Sequence, residues 1–569
     1  MRGLALDQGA VSHWTLEGRT RLDRAGFWRL ADRYLDLIGS EPAIADIGIV
    51  VSRTSLDMMA LFVALIAAGR MAAFFPPRSA RQDAEAYLEQ QRAAALRIPS
   101  SSILALEGED AALDAMDPLL AGRTLRLPRL SLQPEPTSAG QARYLFERAL
   151  GRQDAIFCQH SSGTTGIKKA VEISGQALVR QFTAYWPTLQ ASLGDAPVRV
   201  ASWLPLYHDM GLIAGFLLPL LGGADLALID PFEWVEAPQL FLEMIEQEGS
   251  TISWSPNFTF RHFTRLKPFM PPRDLSAMRL WISCSEPCRY PDALAFERAY
   301  GPTGVRPGSV VGCYAMAETV FAASQLEAGG QRALVIQAPL KPGDDVISAG
   351  AHETTDRDLV LQAGRQALLC SGAPLAGIEA RVFVDGRPAA DGVYGEIGLR
   401  GDFVFRGYRG LSGEQSSIGK DGFYRTGDLG VILGGRIYVF GRTKEMVIVN
   451  GKNLYLGDVE DRVGSTPGVR PGRAVAFGLD NPALGTEDLI IVAERDDSAA
   501  VPDADIRAGI TTAVMDAFLV KPHDVQIVLD RWLVKTTSGK ISRISNKAKY
   551  LRDFGSTEDA PAPSHGHSP

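Results

Sequence analysis

Apolar residues between positions 44 and 77 follow strand-like and helix-like patterns in turn. The run IADIGIVVS reads as a buried strand, LDMMALFVALIAAG as a buried helix, and MAAFFPP as a second strand that ends at two prolines. This order predicts a β-α-β unit. The same rhythm returns in VRVASWLP, in a long apolar helix after Asp209, and in ADLALID, STISWS and MRLWISCS. We therefore expect a large α/β region with mostly parallel, buried strands.

The pattern changes near residue 375, where short strands alternate with turns up to about residue 442. A compact α+β stretch follows and reaches about residue 553. We predict an α/β protein with a large N-terminal domain, residues 1–443, made of two α/β sheets and a β-rich subdomain. A small mobile α+β domain is expected at 444–555. The Pro-rich segment 556–569 lacks periodicity and is expected to be a disordered tail.

Composition and charge indicate a soluble globular protein. Of 569 residues, 46% are hydrophobic and 22% are charged. The net charge of −8 argues against a nucleic-acid-binding protein, because such proteins display a strongly basic face. No nucleic acid partner is therefore expected.

The cysteines and the apolar runs favour a cytoplasmic protein without a membrane span. The five cysteines are scattered, and no histidine is spaced to complete a zinc site. The start MRGLALDQGA lacks the basic and apolar regions of a signal peptide. Two long apolar runs are interrupted by Arg70 and by Pro219 and Asp225, so we interpret both as core segments.

One loop carries the chemistry of a polyphosphate-binding site. Hydroxyl groups, glycines that let the backbone approach a ligand, and a lysine follow one another in SSGTTGIKK. The candidate phosphate-binding residues are Ser161, Ser162, Gly163, Thr164, Thr165, Gly166 and Lys169. The loop is not a Walker A motif, because Gly163 is followed by TTGIKKA. Taken alone, it also fits a solvated turn between two strands.

Four further motifs follow this loop in order: CYAMAET, YRTGDLG, GRTKEMVIVNGKN and KTTSGKISR. In order and spacing the five motifs resemble those of the adenylate-forming superfamily, which includes acyl-CoA synthetases, adenylation domains and luciferases. The resemblance covers nearly the whole chain. The segments LPLYHDMGLI, SPNFTF, DLSAMRLWISCSEP and VRPGRAVAF are most similar to fatty acyl-AMP ligases. Residues from about 330 to 366 resemble the insertion that those ligases carry.

The resemblance implies binding of ATP and Mg²⁺. Glu318 matches the carboxylate that holds Mg²⁺, and the SSGTTGIKK loop matches the grip on the β- and γ-phosphates. Tyr314 matches the aromatic residue that packs on adenine, within the nucleotide-binding stretch Cys313, Tyr314, Ala315 and Met316. The segment expected to line the base consists of Ser285, Glu286 and Pro287.

The remaining matched positions concern ribose, catalysis and domain movement. Asp428 matches the carboxylate that accepts hydrogen bonds from ribose, and Arg442 matches the arginine that assists it. Lys540 matches the mobile catalytic lysine, and Lys444 occupies the hinge position. His208 is placed by the resemblance near the acyl entrance, although a structural turn histidine is the alternative. Two tryptophans and a phenylalanine either line the acyl tunnel or pack the core: Trp203, Trp254 and Phe258.

The chain departs from the family pattern at several positions. Lys168 and Ala170 stand in place of a proline and a glycine at the end of the phosphate loop. Lys168 either supplies a second cation to the triphosphate or faces solvent; unchanged ATP affinity in Lys168→Pro would contradict the first reading. Cys284 replaces a glycine near the expected pocket and is a candidate for shaping the acyl site, an idea that an unaltered chain-length profile in Cys284→Gly would refute. Ala315 and Leu456 replace a glycine and a proline without removing a catalytic charge.

The sequence therefore predicts an ATP-dependent ligase of a carboxylic acid, and the resemblance implies a fatty acid. No Gly-x-Asp-Ser carrier motif occurs in the chain, so an acyl carrier protein is expected to accept the acyl group in trans. An acyl- or aryl-CoA synthetase is the enzymatic alternative. A catalytically degenerate nucleotide-binding partner of a biosynthetic complex is the alternative of another class.

Overall fold

The computed structural model describes residues 3–78, 87–88, 101–108, 123–130, 140–161, 169–337, 340–363, 367–405, 407–409, 418–449, 452–481, 486–535 and 541–554. The chain forms two compact units, and the main division falls between Gly441 and Arg442. The boundary predicted from the sequence lies two residues further on, between 443 and 444. The tail predicted at 556–569 lies outside the described residues.

The first unit is built of strands and helices that alternate along much of the chain. Its strands are β1 Ala10–Thr15, β2 Gly18–Asp23, β3 Ile47–Val51, β4 Met71–Phe75, β5 Ser101–Leu106, β6 Thr124–Leu127, β7 Ala155–Ser161, β8 Lys169–Ser174, β9 Arg199–Ser202, β10 Asp225–Ile229, β11 Ile252–Pro256, β12 Leu280–Cys284, β13 Val310–Ala315, β14 Ala322–Gln325, β15 Ala333–Val335, β16 His352–Thr354, β17 Ala367–Leu369, β18 Ala373–Pro374, β19 Ile378–Val384, β20 Arg387–Pro388, β21 Gly395–Gly401, β22 Tyr424–Leu433 and β23 Arg436–Arg442. Its α-helices are α1 Arg24–Ser40, α2 Leu56–Ala67, α3 Gln141–Ala149, α4 Gly175–Leu193, α5 Leu218–Leu221, α6 Pro231–Glu236, α7 Gln239–Glu248, α8 Asn257–Leu266, α9 Tyr290–Tyr300 and α10 Arg357–Ala363. One π-helix, Met210–Leu217, precedes α5, and short 3-10 helices cover Lys267–Phe269, Gly301–Thr303 and Ala317–Thr319.

Two large sheets and a β-rich subdomain organise this unit. One sheet has six strands in the order β6-β5-β3-β4-β7-β8, and the other has nine in the order β18-β14-β13-β12-β11-β9-β10-β1-β2. Most inner neighbours in both sheets run parallel. A five-stranded antiparallel sheet, β20-β19-β21-β22-β23, forms the β-rich part. The predicted α/β fold class is confirmed.

The first predicted β-α-β unit is present as β3, α2 and β4. The two strands are parallel, with Ile47 opposite Met71. Every residue of α2 except Asp57 is buried, which agrees with its almost continuous apolar sequence. Ser55 caps the helix, because its Oγ accepts a hydrogen bond of 3.2 Å from the Met58 N–H.

The long helix expected after Asp209 differs from the prediction, because it begins as a π-helix and becomes α-helical only at α5. Asp209 Oδ1 accepts the Met210 N–H at 2.8 Å where the π-helix begins. A Cβ at Gly211 would lie 2.1 Å from the carbonyl oxygen of Pro205. Only glycine therefore fits where this helix packs against the preceding turn.

The segment predicted as an insertion, about 330 to 366, forms a small sheet of its own. Strands β15 and β16 and helix α10 lie within it, and β15 pairs with both β16 and β17. This three-stranded sheet, β16-β15-β17, is separate from the two large ones.

The second unit is a small α+β fold. Its elements are the 3-10 helix Thr443–Glu445, β24 Met446–Val449, β25 Lys452–Tyr455, α11 Leu456–Val463, β26 Val469–Asn481, β27 Thr486–Arg495, α12 Asp503–Phe518, β28 Asp524–Val528 and α13 Arg543–Phe554. Strands β26, β27 and β28 form one sheet, and β24 and β25 pair as a hairpin.

Both faces of the β26-β27-β28 sheet are buried. On β27, Leu489 and Ile491 belong to the core that includes residues of α11 and α12, whereas Ile490 and Val492 pack in a cluster with Tyr550 of α13. Alternate residues of a strand point to opposite faces, so the central stretch of β27, Leu489–Ala493, is apolar at every position. Among the described residues of the whole chain, no helix combines the length and apolar character needed to cross a membrane.

Candidate active site

The predicted nucleotide-binding segments follow two neighbouring parallel strands at the same edge of the nine-stranded sheet. Strands β12 and β13 are parallel, with Ser283 opposite Gly312. Cys284 and Cys313 are consequently neighbours, and both are buried. Burial raises the pKa of the Cys313 thiol well above its usual value. Ligands of open α/β sheets bind beyond the carboxyl ends of such strands, so the fold places these segments where a nucleotide is expected.

The expected adenine-binding and ribose-binding residues are in direct contact. Tyr314 is the last but one residue of β13, and its hydroxyl donates a 2.7 Å hydrogen bond to Oδ2 of Asp428 on β22. Both side chains are buried. The Asp428 N–H in turn donates to Oγ1 of Thr426 at 3.0 Å, which fixes the backbone of this position. Two residues that are distant in sequence thus meet, while their roles toward adenine and ribose stay predictions.

Glu318 is the buried end of a chain of phenol hydroxyls. The Tyr408 hydroxyl donates to Glu318 Oε1 at 2.7 Å and lies 3.2 Å from the Tyr424 hydroxyl. The Tyr408 hydroxyl uses its one hydrogen in the bond to the Glu318 carboxylate. Tyr424 is therefore the donor in the hydrogen bond between the two hydroxyls. Burial first, and the charge of Glu318 second, raise the pKa of Tyr424 well above its ordinary value. Tyr424 therefore keeps its proton near neutral pH.

Lys169 belongs to the same neighbourhood as Glu318. Its Nζ lies 4.5 Å from the centre of the Tyr408 ring, within the range of a cation–π contact. Strands β7 and β8 are antiparallel, with Ser161 opposite Lys169. The stretch from 162 to 168 therefore connects two paired strand ends. Its residues Ser162, Gly163, Thr164, Thr165 and Gly166 lie outside the described residues, as does the side chain of Ser161.

Two residues near the strand ends have unusual backbone conformations. Ser285 has φ +65° and Val320 has φ +64°. Positive φ in a β-branched residue such as valine is a genuine outlier and requires support from its surroundings. The Val320 carbonyl accepts the Gln159 side-chain N–H at 2.9 Å. Strain of this kind clusters at functional sites, and sequence inspection did not reveal it.

The segment expected to line the adenine base also supports a neighbouring helix. Glu286 Oε2 accepts the Phe258 N–H at 3.0 Å in the first turn of α8, where a negative charge stabilises the helix. Ser285 Oγ lies 3.9 Å from Sδ of Met210 and 4.0 Å from Sγ of Cys284. Ser285, Glu286 and Pro287 are all half-buried. Cys284 thus packs against residues of the candidate site.

The other nucleotide-segment residues hold the turn that leads to Glu318. The Met316 N–H donates to the Phe321 carbonyl at 2.9 Å, and the Thr319 N–H donates to the Met316 carbonyl at 3.1 Å. Ala315 pairs with Ala322 just after a register shift in the strand pair. These contacts close a tight turn around the 3-10 helix that carries Glu318.

His208 lies in the turn between β9 and the π-helix. Its Nδ1 is 2.6 Å from Oδ1 of Asp209, and its own N–H donates to the Pro205 carbonyl at 3.1 Å. The side chain is half-buried. These contacts describe a well-held turn histidine and leave its predicted place at the acyl entrance a prediction.

The aromatic residues left open by the sequence are part of the packed interior. Trp254 is 1% exposed and donates through Nε1 to the Tyr185 hydroxyl at 2.9 Å. Trp203 stacks on Trp234 with ring centres 3.7 Å apart, and Phe258 meets both rings edge-on. The structure thus gives each of them a packing role.

The remaining predicted site residues belong to the second unit or to its start. Arg442 is the last residue of β23 and the first of the second unit. Lys444 lies in the 3-10 helix Thr443–Glu445, and its side chain is not among those that the structure describes. Lys540 also lies outside the described residues.

Sequence reasoning missed Tyr408 and Tyr424 as members of the site. Tyr424 is the first residue of YRTGDLG, and Tyr408 ends the run DFVFRGY. The place of Tyr424 within a recognised motif was the available signal. It did not reveal that two hydroxyls would reach Glu318, which lies 90 residues before Tyr408.

The fold and this site together define an adenylate-forming enzyme. A family model described as "AMP-binding enzyme" matches residues 44–409. The chain belongs to this family, and the resemblance proposed from the five motifs is confirmed.

Similar proteins include named ligases. The chain is 32% identical over 408 residues to "Putative ligase Rv1013" of Mycobacterium tuberculosis, covering 70% of this chain and 72% of that protein. It is 30% identical over 449 residues to "Long-chain-fatty-acid--AMP ligase FadD32" of Mycolicibacterium smegmatis, covering 69% of this chain and 68% of that protein.

Solved structures share the fold. A structure from studies of fatty acyl-adenylate ligases of E. coli and L. pneumophila matches with a TM-score of 0.75 and 20% identity, covering 96% of each chain. A fatty acid AMP ligase from Legionella pneumophila matches with a TM-score of 0.64 and 22% identity, covering 98% of this chain and 94% of that one.

Proposed function

We propose that this protein is a fatty acyl-AMP ligase, which joins a fatty acid to ATP and releases pyrophosphate. The observation that carries the proposal is the hydrogen bond between Tyr314 and Asp428. It unites the adenine and ribose positions of an AMP-binding enzyme in a chain that is 30% identical to a named fatty-acid–AMP ligase.

The nucleoside is held by groups of the first unit. The Tyr314 ring packs on adenine, while its hydroxyl orients the Asp428 carboxylate toward the ribose hydroxyls. A carboxylate has two oxygens and several lone pairs, so Asp428 can accept from both Tyr314 and ribose. Lys169 and the hydroxyl-rich loop bind the β- and γ-phosphates.

The residues around Glu318 fit Mg²⁺. This ion is usually bound by one or two carboxylates together with phosphates and water. Among the described residues, no group of three or more acidic, histidine or cysteine side chains could hold a metal alone. Glu318, kept in place by Tyr408, would supply the protein ligand, and the phosphates would supply others. When bound, Mg²⁺ would neutralise negative charge on the phosphates.

The reaction proceeds by displacement at the α-phosphorus. A carboxylate oxygen of the acid forms a bond to this phosphorus, while the bond to the bridging oxygen of pyrophosphate breaks. Both reactants are anions, and the Lys540 ammonium neutralises them as they approach. In the second half-reaction a thiol sulfur bonds to the acyl carbon and AMP leaves. The thiol proton passes to solvent or a base.

The acyl acceptor is the phosphopantetheine thiol of a separate acyl carrier protein. Lys444 is the hinge at which the second unit changes position between the two half-reactions. We place the enzyme in the cytoplasm, because its cysteines are free and buried and free thiols persist in that reducing compartment.

The test is adenylate formation from ATP and Mg²⁺ over a graded series of short, long and aryl acids. Free CoA and a phosphopantetheinylated carrier protein serve as alternative acceptors. We expect adenylate from fatty acids, transfer to the carrier, and a loss of about 10²–10³-fold in rate in Lys540→Ala. Transfer to CoA would instead indicate an acyl-CoA synthetase. Absence of adenylate with every acid would contradict an enzymatic role and favour a nucleotide-binding partner.

A further inference from the structure

A buried asparagine holds the two chain segments that flank Lys540. Asn546 lies in the first turns of α13 and is 0% exposed. Its Oδ1 accepts the Val534 N–H at 2.8 Å, and its Nδ2 donates to the Val534 carbonyl at 2.8 Å. The same Nδ2 donates to the Ser542 carbonyl at 2.7 Å. One side chain thus binds the segment before Lys540 and the segment after it.

The two segments are also joined by their backbones. The Ser542 N–H donates to the Val534 carbonyl at 3.0 Å, and Lys535 forms an isolated antiparallel bridge with Ile541. Lys540 therefore lies in the part of the chain between two segments that contact each other, and we call these contacts, between residues 534 and 542, the loop base. Lys540 stands two residues before Ser542, which is at most about 7 Å of extended chain. A displacement of the base would consequently move the lysine.

The approach to the loop is fixed by further side chains of the second unit. Glu494 is 0% exposed, and its Oε1 accepts the Leu533 N–H at 2.8 Å. Lys549 Nζ donates to the Trp532 carbonyl at 2.8 Å and lies 4.3 Å from the centre of its ring. Three consecutive residues, 532 to 534, are thus each held by a polar side chain.

The far side of the loop is fixed as well. Arg543, the first residue of α13, makes two hydrogen bonds to Glu460, with Nε to Oε1 at 2.8 Å and Nη2 to Oε2 at 2.7 Å. Paired arginine–carboxylate bonds of this kind are strong and directional. The chain on both sides of Lys540 is therefore tied to the body of the second unit.

We infer that Asn546 is a positioning residue for Lys540. Asn546 acts through Lys540 and does not itself touch the substrate. This inference rests on the proposed catalytic role of Lys540. Only an amide supplies both the acceptor and the donors that this arrangement uses. An apolar replacement would leave backbone groups of Val534 and Ser542 with fewer hydrogen-bond partners, which is costly where these groups are shielded from water. The contacts between the segments on either side of Lys540 would then weaken, and the chain that carries the lysine would lose this anchor.

The test separates the two half-reactions, because Lys540 is needed for adenylate formation but not for thioester formation. We expect Asn546→Ala to slow adenylate formation by about 10- to 100-fold, the loss expected when a reacting group is misplaced by about 1 Å. Transfer from a supplied acyl-adenylate to a thiol acceptor should stay within about twofold of the parent protein. Asn546→Asp keeps the shape and the acceptor oxygen but removes the donors, and serves if the alanine variant does not fold.

The matched control is Tyr550→Phe on the same helix. The Tyr550 hydroxyl donates to Asp524 Oδ2 on β28 at 2.6 Å, and the phenylalanine variant removes this hydroxyl while keeping the ring. This variant should lower thermal stability as Asn546→Ala does, yet leave both half-reactions within about twofold. An equal loss of adenylate formation in both variants would reduce Asn546 to a structural role and overturn the inference.

A double variant provides a second, independent readout. If Asn546 acts through Lys540, adding Asn546→Ala to Lys540→Ala should slow adenylate formation no further. If the rate losses of the two single variants multiply in the double variant, the inference is overturned. Deuterium exchange of the backbone from 533 to 545 should rise in Asn546→Ala, and unchanged exchange would also overturn it. A parent protein that forms no adenylate would refute the proposed function, and the exchange result would still decide whether Asn546 closes the loop.

Discussion

Single side-chain contacts define the chemistry of the candidate site. The Tyr424, Tyr408 and Glu318 side chains form a line of hydrogen bonds that ends on the carboxylate proposed to hold Mg²⁺. The rings of both tyrosines meet Phe405 at 4.7 and 4.9 Å, so the phenols have little freedom to turn away. The orientation of Glu318 therefore depends on residues that make no contact with the nucleotide in the proposed mechanism.

Removal of either phenol hydroxyl should weaken adenylate formation by different amounts. Tyr408→Phe removes a hydrogen bond to a charged group, worth about 1.5–3 kcal/mol, and Tyr424→Phe removes a neutral one, worth about 1 kcal/mol. We expect kcat/KM to fall by about 10-fold or more in the first variant and about 5-fold in the second. The apparent affinity for Mg²⁺, measured in the same assay, should fall in the same order.

Tyr438→Phe is the control for these two variants, since Tyr438 is also a buried phenol of the β-rich sheet but is hydrogen-bonded to Glu353. It should leave kcat/KM and the Mg²⁺ dependence unchanged. If Tyr438→Phe lowers activity as much as Tyr408→Phe, the effect reflects the stability of the sheet and not the orientation of Glu318.

At the scale of secondary structure, the ends of the strands determine where the candidate site lies. Strand β13 carries Tyr314 and leads to Glu318, and its backbone passes close to the segment before β18. A Cβ at Gly312 would lie 2.3 Å from the carbonyl oxygen of Cys370. A contact this short forces the backbone to move, so the path of β13 depends on the absence of a side chain at this position.

Gly312→Ala should therefore destabilise the protein and weaken ATP binding together. Overpacking of this kind costs about 1–3 kcal/mol, and the shift of β13 would displace Tyr314. Gly39→Ala in α1 is the matched control, because a Cβ there meets nothing within 4 Å. Melting temperature and ATP affinity of the two variants check this prediction. Normal ATP affinity in Gly312→Ala would show that the neighbouring backbone yields without moving Tyr314.

The division into two units matters at the scale of the whole molecule. The second unit has its own buried clusters on both faces of its sheet, and we predict that it moves as a body. Such movements are absorbed by a few residues that change φ and ψ. Lys444, two residues after the start of this unit, is the residue that we predict to serve as the hinge.

Lys444→Pro should impair one half-reaction more than the other. Proline fixes φ near −65°, which suits a short helix and opposes a large backbone change. We expect adenylate formation within about threefold of the parent protein and thiol transfer at least about tenfold slower. Lys444→Ala, which leaves the backbone unrestricted, should support both. Equal slowing of both half-reactions by proline would contradict a hinge at this position.

Much of this protein followed from the sequence alone. The β3-α2-β4 unit was readable because a buried strand or helix needs continuous apolar residues, and these lie next to one another in the chain. The family was readable because its motifs are short, contiguous and in order. The π-helix after Asp209 was not predicted, because an apolar run indicates a buried helix but not which of its hydrogen-bond patterns forms.

Only the tertiary structure decided which side chains meet. Tyr314 and Asp428 are 114 residues apart, and Tyr408 and Glu318 are 90 apart. Asn546 was an unremarked residue of a polar helix until the fold placed it against Val534. Whether a hydrogen bond forms depends on differences of tenths of an ångström in the donor–acceptor distance. A hydrophobic pattern specifies only which face of an element is buried. The sequence by itself therefore determined the fold class, the family and the chemistry of the motifs, and the packing of distant elements determined how those groups are held.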